Sequence, residues 1–168
     1  MTQKKDSNLK IKKAKSKDVP LILSLIKELA EYEKLTHEVV ASEMDLKRNL
    51  FGPKKFAEVL LGYYINEPVG MALFFHNYST FQGKPGIYLE DLFVKPEFRG
   101  KGIGKGLLLK LIRIAGKRKC GRVEWAVLDW NQPAIDFYTK LGAEPLDSWK
   151  IFRLTSEKIN MINDSRIV

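Results

Sequence analysis

The chain has 168 residues, is 45% hydrophobic and 29% charged, and carries a formal net charge of +9. That length and apolar content suit one core and one domain, and no apolar run approaches the roughly 20 residues a membrane-spanning helix needs. Cys120 is the single cysteine, which leaves no internal disulfide, and with His37 and His76 it makes no metal-ligand spacing.

The amino terminus, residues 1–8, reads as a basic flexible tail without the apolar centre of a secretory signal, so a cytoplasmic, metal-free protein is expected. LKIKKA then reads as a first strand, with Leu9 and Ile11 alternating against lysines. A helix starts at SKDVP, where Ser16 or Asp18 can cap it and Pro20 suits its first turn. Leu21, Ile22, Leu25, Ile26 and Leu29 give that helix an apolar stripe. A shorter helix is expected from Ser42 to Asn49, stopped by FGP.

FAEVLLGYY and PVGMALFFH are strand-like and joined by Ile65, Asn66 and Glu67 as a hairpin; after the loop NYSTFQGKPG, IYLEDLFV is a third such run. Leu107, Leu108, Leu111, Ile112 and Ala115 mark the next helix. RVEWAVLDW reads as a strand, NQPAIDFYTKLGA as a helix capped by Asn131, and SWKIFRL as a closing strand. The order β-α-α-β-β-β-α-β-α-β predicts an α/β (α+β) fold with a mixed central sheet and helices on both faces. It forms a single domain over residues 9–155, followed by a carboxy-terminal tail at 156–168.

Charge is unevenly placed. Residues 95–122 hold ten Lys or Arg against Glu97 alone, so this window by itself equals the net charge of +9. At its centre lies RGKGIGK, residues 99–105, between a strand and a helix. The first N–H groups of a helix lack intrahelical partners, and the macrodipole adds roughly half a positive charge there. Glycines let that backbone close around phosphate oxygens, so the stretch has the makings of a pyrophosphate site. The plain alternative is a solvated basic face. Neither the Walker pattern nor G-x-G-x-x-G fits, because no Ser or Thr follows a suitable Gly-Lys pair and position 105 is lysine. R-x-x-G-x-G does fit, as Arg99, Gly102 and Gly104.

LIKELAEYEKL, YST, IYLEDLFV, RGKGIG and LDWNQPAIDFYTKLGA, in that order across residues 10–154, together resemble the GNAT superfamily of acetyl-CoA-dependent N-acetyltransferases. The similarity is to its diamine (spermidine/spermine) and thialysine branch. The resemblance implies that IYLEDLFV splays from the next strand and that the acyl-pantetheine arm of acetyl-CoA pairs with backbone of Leu92, Phe93 and Val94 in the gap. A strand edge inside a sheet offers the free N–H and C=O groups this requires. It also implies that Arg99, Gly100, Lys101, Gly102, Ile103, Gly104 and Lys105 hold the pyrophosphate. Asn131, Pro133, Ala134 and Tyr138 would line the far side of the cofactor.

A primary amine of pKa about 10.4 is unprotonated in roughly one molecule per several thousand at pH 7. Transfer therefore needs a path for that proton and a donor for the leaving thiolate. Neighbouring strand residues point to opposite faces, so Glu90 and Asp91 are not expected to share a site. The resemblance selects Glu90 as the base, directly or through water; otherwise it is a carboxylate at the solvated end of the sheet. Tyr138 looks like a core aromatic from its spacing with Ile135 and Leu141, and the resemblance makes it the acid for the thiolate. Tyr32 and Glu33 read as a surface pair, and by resemblance they line the amine pocket with Glu90, where an anion beside an aromatic favours a cation. Cys120 lies in the basic run KRKCGR, but the resemblance implies direct transfer without an acyl-enzyme.

The loop NYSTFQGK has no acid, and Ser79 and Phe81 stand where polyamine enzymes of this branch carry acidic and tryptophan residues. Its YST, like AVLDWN, is similar to the thialysine-acetylating relatives. The expected acceptor is a small primary amine of lysine-analogue type, with a polyamine as the alternative. A non-catalytic CoA-binding protein and a nucleic-acid-binding module are the readings from other classes. Against them stand Glu90 with Tyr138, and the coincidence of the basic residues with the glycine loop; no nucleic acid or membrane partner is expected. The resemblance also implies a homodimer with carboxy-terminal strands exchanged or paired.

Overall fold

A computed structural model describes residues 8–164, in two compact units that meet between Ala126 and Val127. The first unit runs β1 (Leu9–Lys13), α1 (Val19–Tyr32), α2 (Glu43–Phe51), β2 (Glu58–Tyr64), β3 (Glu67–Ser79), β4 (Lys84–Val94), α3 (Ile103–Lys117) and β5 (Val123–Trp125). Its sheet has the order β1-β2-β3-β4-β5. The first three pairings are antiparallel, and β4 and β5 are parallel with α3 as the crossover.

Local chemistry sets most boundaries. Pro20 occupies the first turn of α1. Ser42 and Asp45 form a reciprocal capping box at α2, each side chain accepting the other's backbone N–H. The β2–β3 hairpin turns on Ile65 and Asn66, at φ +48° and +65°. Two positive φ values mark the type I′ turn, whose twist matches that of the strands it joins. Asparagine tolerates this conformation; β-branched Ile65 is strained in it.

Helices cover both faces. On one, Ile22, Leu25 and Leu50 from α1 and α2 pack against Val59, Leu61, Met71 and Phe93. On the other, Ile103 and Leu107 of α3 lie so near Gly62 that a Cβ there would stand 3.2 Å from Ile103 Cγ2.

The β3–β4 ladder contains the irregularity that matters for function. Leu73 pairs with Asp91 and Phe74 with Leu89, so Glu90 is an extra residue with no opposite number. This bulge reverses the alternation of β4. Leu89 shares a face with Phe74, whereas Asp91 and Phe93 share the opposite face with Leu73 and Met71.

Two sequence expectations are corrected. Of RVEWAVLDW only Val123–Trp125 is a strand, because β4 offers it a ladder only across Ile87, Tyr88 and Leu89. The closing strand expected in SWKIFRL does not form. A strand needs a hydrogen-bonding neighbour, and none pairs with this segment among the described residues; Trp149, Ile151 and Phe152 are 74%, 76% and 91% exposed. The second unit instead contains two helices, α4 (Gln132–Lys140) and α5 (Ser156–Asp164), with Gly142 at φ +87° behind α4. The element order therefore ends in a helix over part of the expected carboxy-terminal tail. The basic tail, apart from Asn8, lies outside the described residues, as do 165–168. No described helix is long and apolar enough to cross a membrane.

Candidate active site

The connection from β4 to α3 turns at Gly100 and Gly102, whose φ values are +77° and +76°. Only glycine enters this region freely. No atom lies within 4 Å of where a Cβ would stand on either residue, so backbone conformation and not crowding selects glycine, and the space beside them is open. Gly102 is the N-cap of α3 and provides no side-chain cap. The N–H groups of Ile103, Gly104 and Lys105 therefore have no intrahelical acceptors.

Two cations of this loop rest on aromatic rings. The Arg99 guanidinium lies 4.2 Å from the ring centre of Tyr32 at the end of α1, and its Nε donates to the Val94 carbonyl at 3.2 Å. Lys101 Nζ lies 4.7 Å from the ring centre of Phe98 and 5.3 Å from that of Tyr64. N–H groups without intrahelical acceptors, an open glycine turn and poised cations fit a pyrophosphate.

Upstream of the loop, the parallel ladder between β4 and β5 ends at the Leu89–Trp125 pair, while β4 continues to Val94. Leu92, Phe93 and Val94 remain paired with β3 on one side and, among the described residues, have no strand partner on the other. An edge thus opens in the sheet at the segment where the family resemblance implies a pantetheine arm.

The bulge stands at the start of that opening. Glu90 is exposed and Asp91 is partly buried. Burial, then the charges of Glu90 and Glu33, raises the Asp91 carboxyl to about 7. Burial also raises Glu33, the residue that ends α1. Three carboxyl groups from α1 and β4 therefore share one electrostatic environment. The expectation that strand alternation keeps Glu90 and Asp91 apart assumed a regular strand, and the bulge at Glu90 interrupts that alternation. Asp91 is the residue that sequence reasoning passed over, and two adjacent acids inside an apolar strand were the available sign.

In the second unit, Asn131 is the N-cap of α4, its carbonyl accepting the N–H groups of Ala134 and Ile135 at 3.1 Å. Helical spacing puts Asn131, Ala134 and Tyr138 on one face and Pro133 with Phe137 on another. The Phe137 and Tyr138 rings touch, with centres 5.2 Å apart. Burial raises the Tyr138 hydroxyl to about 12, so it holds its proton at any physiological pH.

Comparison with known proteins gives one picture. Residues 24–143 match the model of the Acetyltransferase (GNAT) family. The chain is 42% identical to the thialysine N-epsilon-acetyltransferase of Bos taurus, an alignment that covers 88% of this chain and 92% of that protein. It is 32% identical to the L-ornithine N5-acetyltransferase NATA1 of Arabidopsis thaliana, covering 94% and 89%. Among solved structures, an integron cassette protein from the mobile metagenome of V. cholerae superposes with a TM-score of 0.79 at 25% identity, covering 94% of this chain and 99% of that one.

Proposed function

The chain belongs to the GNAT acetyltransferase family, and on that premise we propose that it moves the acetyl group of acetyl-CoA onto a primary amine of a small molecule of the lysine-analogue type, such as thialysine. The observation that carries this reading is the arrangement along β4. Acids that attract an ammonium stand at one end of an open strand edge, and a cradle for phosphate stands at the other.

In this reading acetyl-CoA supplies an activated acyl thioester. Residues 99–105 hold its diphosphate, and the open edge of Leu92, Phe93 and Val94 takes its amide-bearing arm. Glu33 and Glu90 draw in the protonated amine beside Tyr32. Asp91 then accepts the proton. A carboxyl near 7 is ionised in about half the molecules at neutral pH and is a far stronger base than an ordinary carboxylate of about 3.9. Exposed Glu90 carries the proton on to solvent.

Tyr138 is the proposed donor to the leaving sulfur, on the strength of the family resemblance. A phenol near 12 does not surrender its proton outright to a thiolate whose conjugate acid is about 8.5. Its contribution is a hydrogen bond that stabilises the developing charge. Asn131, Pro133 and Ala134 complete the proposed cofactor contacts.

Polyamines are the second reading, and the three carboxyl groups of Glu33, Glu90 and Asp91 favour it because a polycation has more than one ammonium to place. The acid-free loop between β3 and β4 argues for the smaller amine. A cytoplasmic homodimer completes the proposal. The exposed apolar side chains of Trp149, Ile151, Phe152 and Leu154 support a contact between copies.

The experiment incubates the protein with acetyl-CoA and thialysine, follows free thiol, and locates the acetyl group by NMR. Thiol release with the acetyl on the side-chain nitrogen is expected. Binding of acetyl-CoA with no release for any small amine would overturn the proposal in favour of a non-catalytic CoA-binding protein.

A further inference from the structure

We propose that Arg99 holds the amine's place on Tyr32 until acetyl-CoA arrives, so that cofactor binding uncovers the aromatic face the amine needs. The inference rests on the functional reading above, which gives Arg99 to the diphosphate and Tyr32 to the amine. It adds that one guanidinium serves both sites in turn, and so couples them.

The geometry points this way. Arg99 stacks 4.2 Å from the Tyr32 ring centre, yet its side chain is exposed and its hydrogen bond to Val94 O is long, at 3.2 Å. The next residue, Glu33, acts electrostatically on Asp91, so Tyr32 adjoins the acidic group. One turn earlier on α1, Glu28 Oε1 lies 3.6 Å from Lys95 Nζ. Glu28 and Tyr32 are four residues apart and share a helix face. The connection from β4 to α3 is thus tied to α1 at two points, Lys95 on Glu28 and Arg99 on Tyr32. The first keeps the connection in place when the second is released.

A ring face accommodates one cation. With Arg99 on it, an incoming ammonium meets both filled space and like charge. Phosphate oxygens offer a guanidinium paired, charge-assisted hydrogen bonds, which outweigh an exposed cation–π contact. Arg99 therefore moves to the diphosphate, Tyr32 is bared, and the acids beside it no longer share their field with a neighbouring cation. Linkage makes the effect reciprocal: bound amine must tighten cofactor binding by the same factor. For a single cation–π contact that factor is about twofold to fivefold.

The test is calorimetric titration of the whole protein with CoA, which cannot turn over, and with thialysine, each alone and in the presence of the other. In wild type both affinities rise by one common factor. In Arg99→Gln, CoA affinity falls, thialysine binds the cofactor-free protein about as tightly as it binds CoA-loaded wild type, and the coupling factor drops to one. Tyr32→Phe keeps the ring and keeps the coupling, whereas Tyr32→Leu loses it. A gain in amine affinity on deleting Arg99 is a result that a merely structural contact does not produce. Wild-type coupling retained in Arg99→Gln, with CoA affinity lowered, overturns the inference alone. Unchanged CoA affinity in that variant overturns the diphosphate assignment on which it stands.

Discussion

Asp91 on the bulged strand lies within electrostatic reach of Glu33 at the end of α1; burial first, then repulsion from Glu90 and Glu33, holds the Asp91 carboxyl near 7. A carboxyl whose folded pKa is raised from 3.8 to about 7 contributes stability that is complete below about pH 4 and is lost as pH rises through 7. Asp91→Asn removes that loss. The variant's advantage over wild type in urea unfolding is expected to grow by about 2–3 kcal/mol between pH 5 and pH 8. A difference that stays constant with pH would show that Asp91 titrates normally.

The same carboxyl sets a catalytic expectation. With Asp91 as proton acceptor, kcat/KM for the amine rises with pH through an apparent pKa near 7. Asp91→Asn should abolish that limb and lower kcat/KM by about 10²-fold or more. An unaltered limb in the variant would return the base role to Glu90.

Gly102 is held at φ +76° with no neighbour near a prospective Cβ. Valine there is strained by about 1–2 kcal/mol and re-aims the first N–H groups of α3. KM for acetyl-CoA should rise about tenfold or more while the melting temperature falls by only a few degrees. Unchanged cofactor affinity would remove the glycine turn from the site.

Tyr138→Phe deletes a hydroxyl and leaves the ring that touches Phe137. Turnover should fall by about 10²-fold with CoA affinity intact, since the lost hydrogen bond acts on the leaving sulfur. Full turnover in the variant would exclude Tyr138 from the chemistry.

Glu58 is the counterpart in stability. Its carboxylate takes Arg118 at 2.6 and 3.0 Å and Lys13 at 2.6 Å, which together hold its pKa down at about 2 against the cost of burial. A depressed carboxyl contributes stability present above about pH 4.5 and lost as pH falls towards 2. Glu58→Gln takes the carboxylate away from Arg118 and Lys13 and should cost about 2–3 kcal/mol at pH 7, with the deficit vanishing near pH 2. Equal stability at pH 7, read by urea titration, would contradict this.

What the sequence disclosed was local. Gly100 and Gly102 announce a backbone turn ahead of a helix, and Ile65, Asn66 and Glu67 announce a hairpin, because each depends on a few consecutive residues. Glu90 and Asp91 could not be assigned from β4 alone. Their orientation is decided by the register against Leu73 and Phe74, a non-local pairing with no trace in the alternation. SWKIFRL has the composition of a strand, but a strand is a property of two segments. The stacking of Arg99 on Tyr32 joins residues that are remote in sequence, and only packing reveals it.

The most direct measurement is kcat/KM for thialysine and for spermidine under the same conditions, by CoA thiol release at saturating acetyl-CoA. The account predicts turnover of both classes at most, with thialysine ahead by about tenfold or more, since the loop between β3 and β4 supplies no acid for a second ammonium. Spermidine ahead of thialysine would contradict it, and would mean that Glu33, Glu90 and Asp91 alone suffice to hold a polycation.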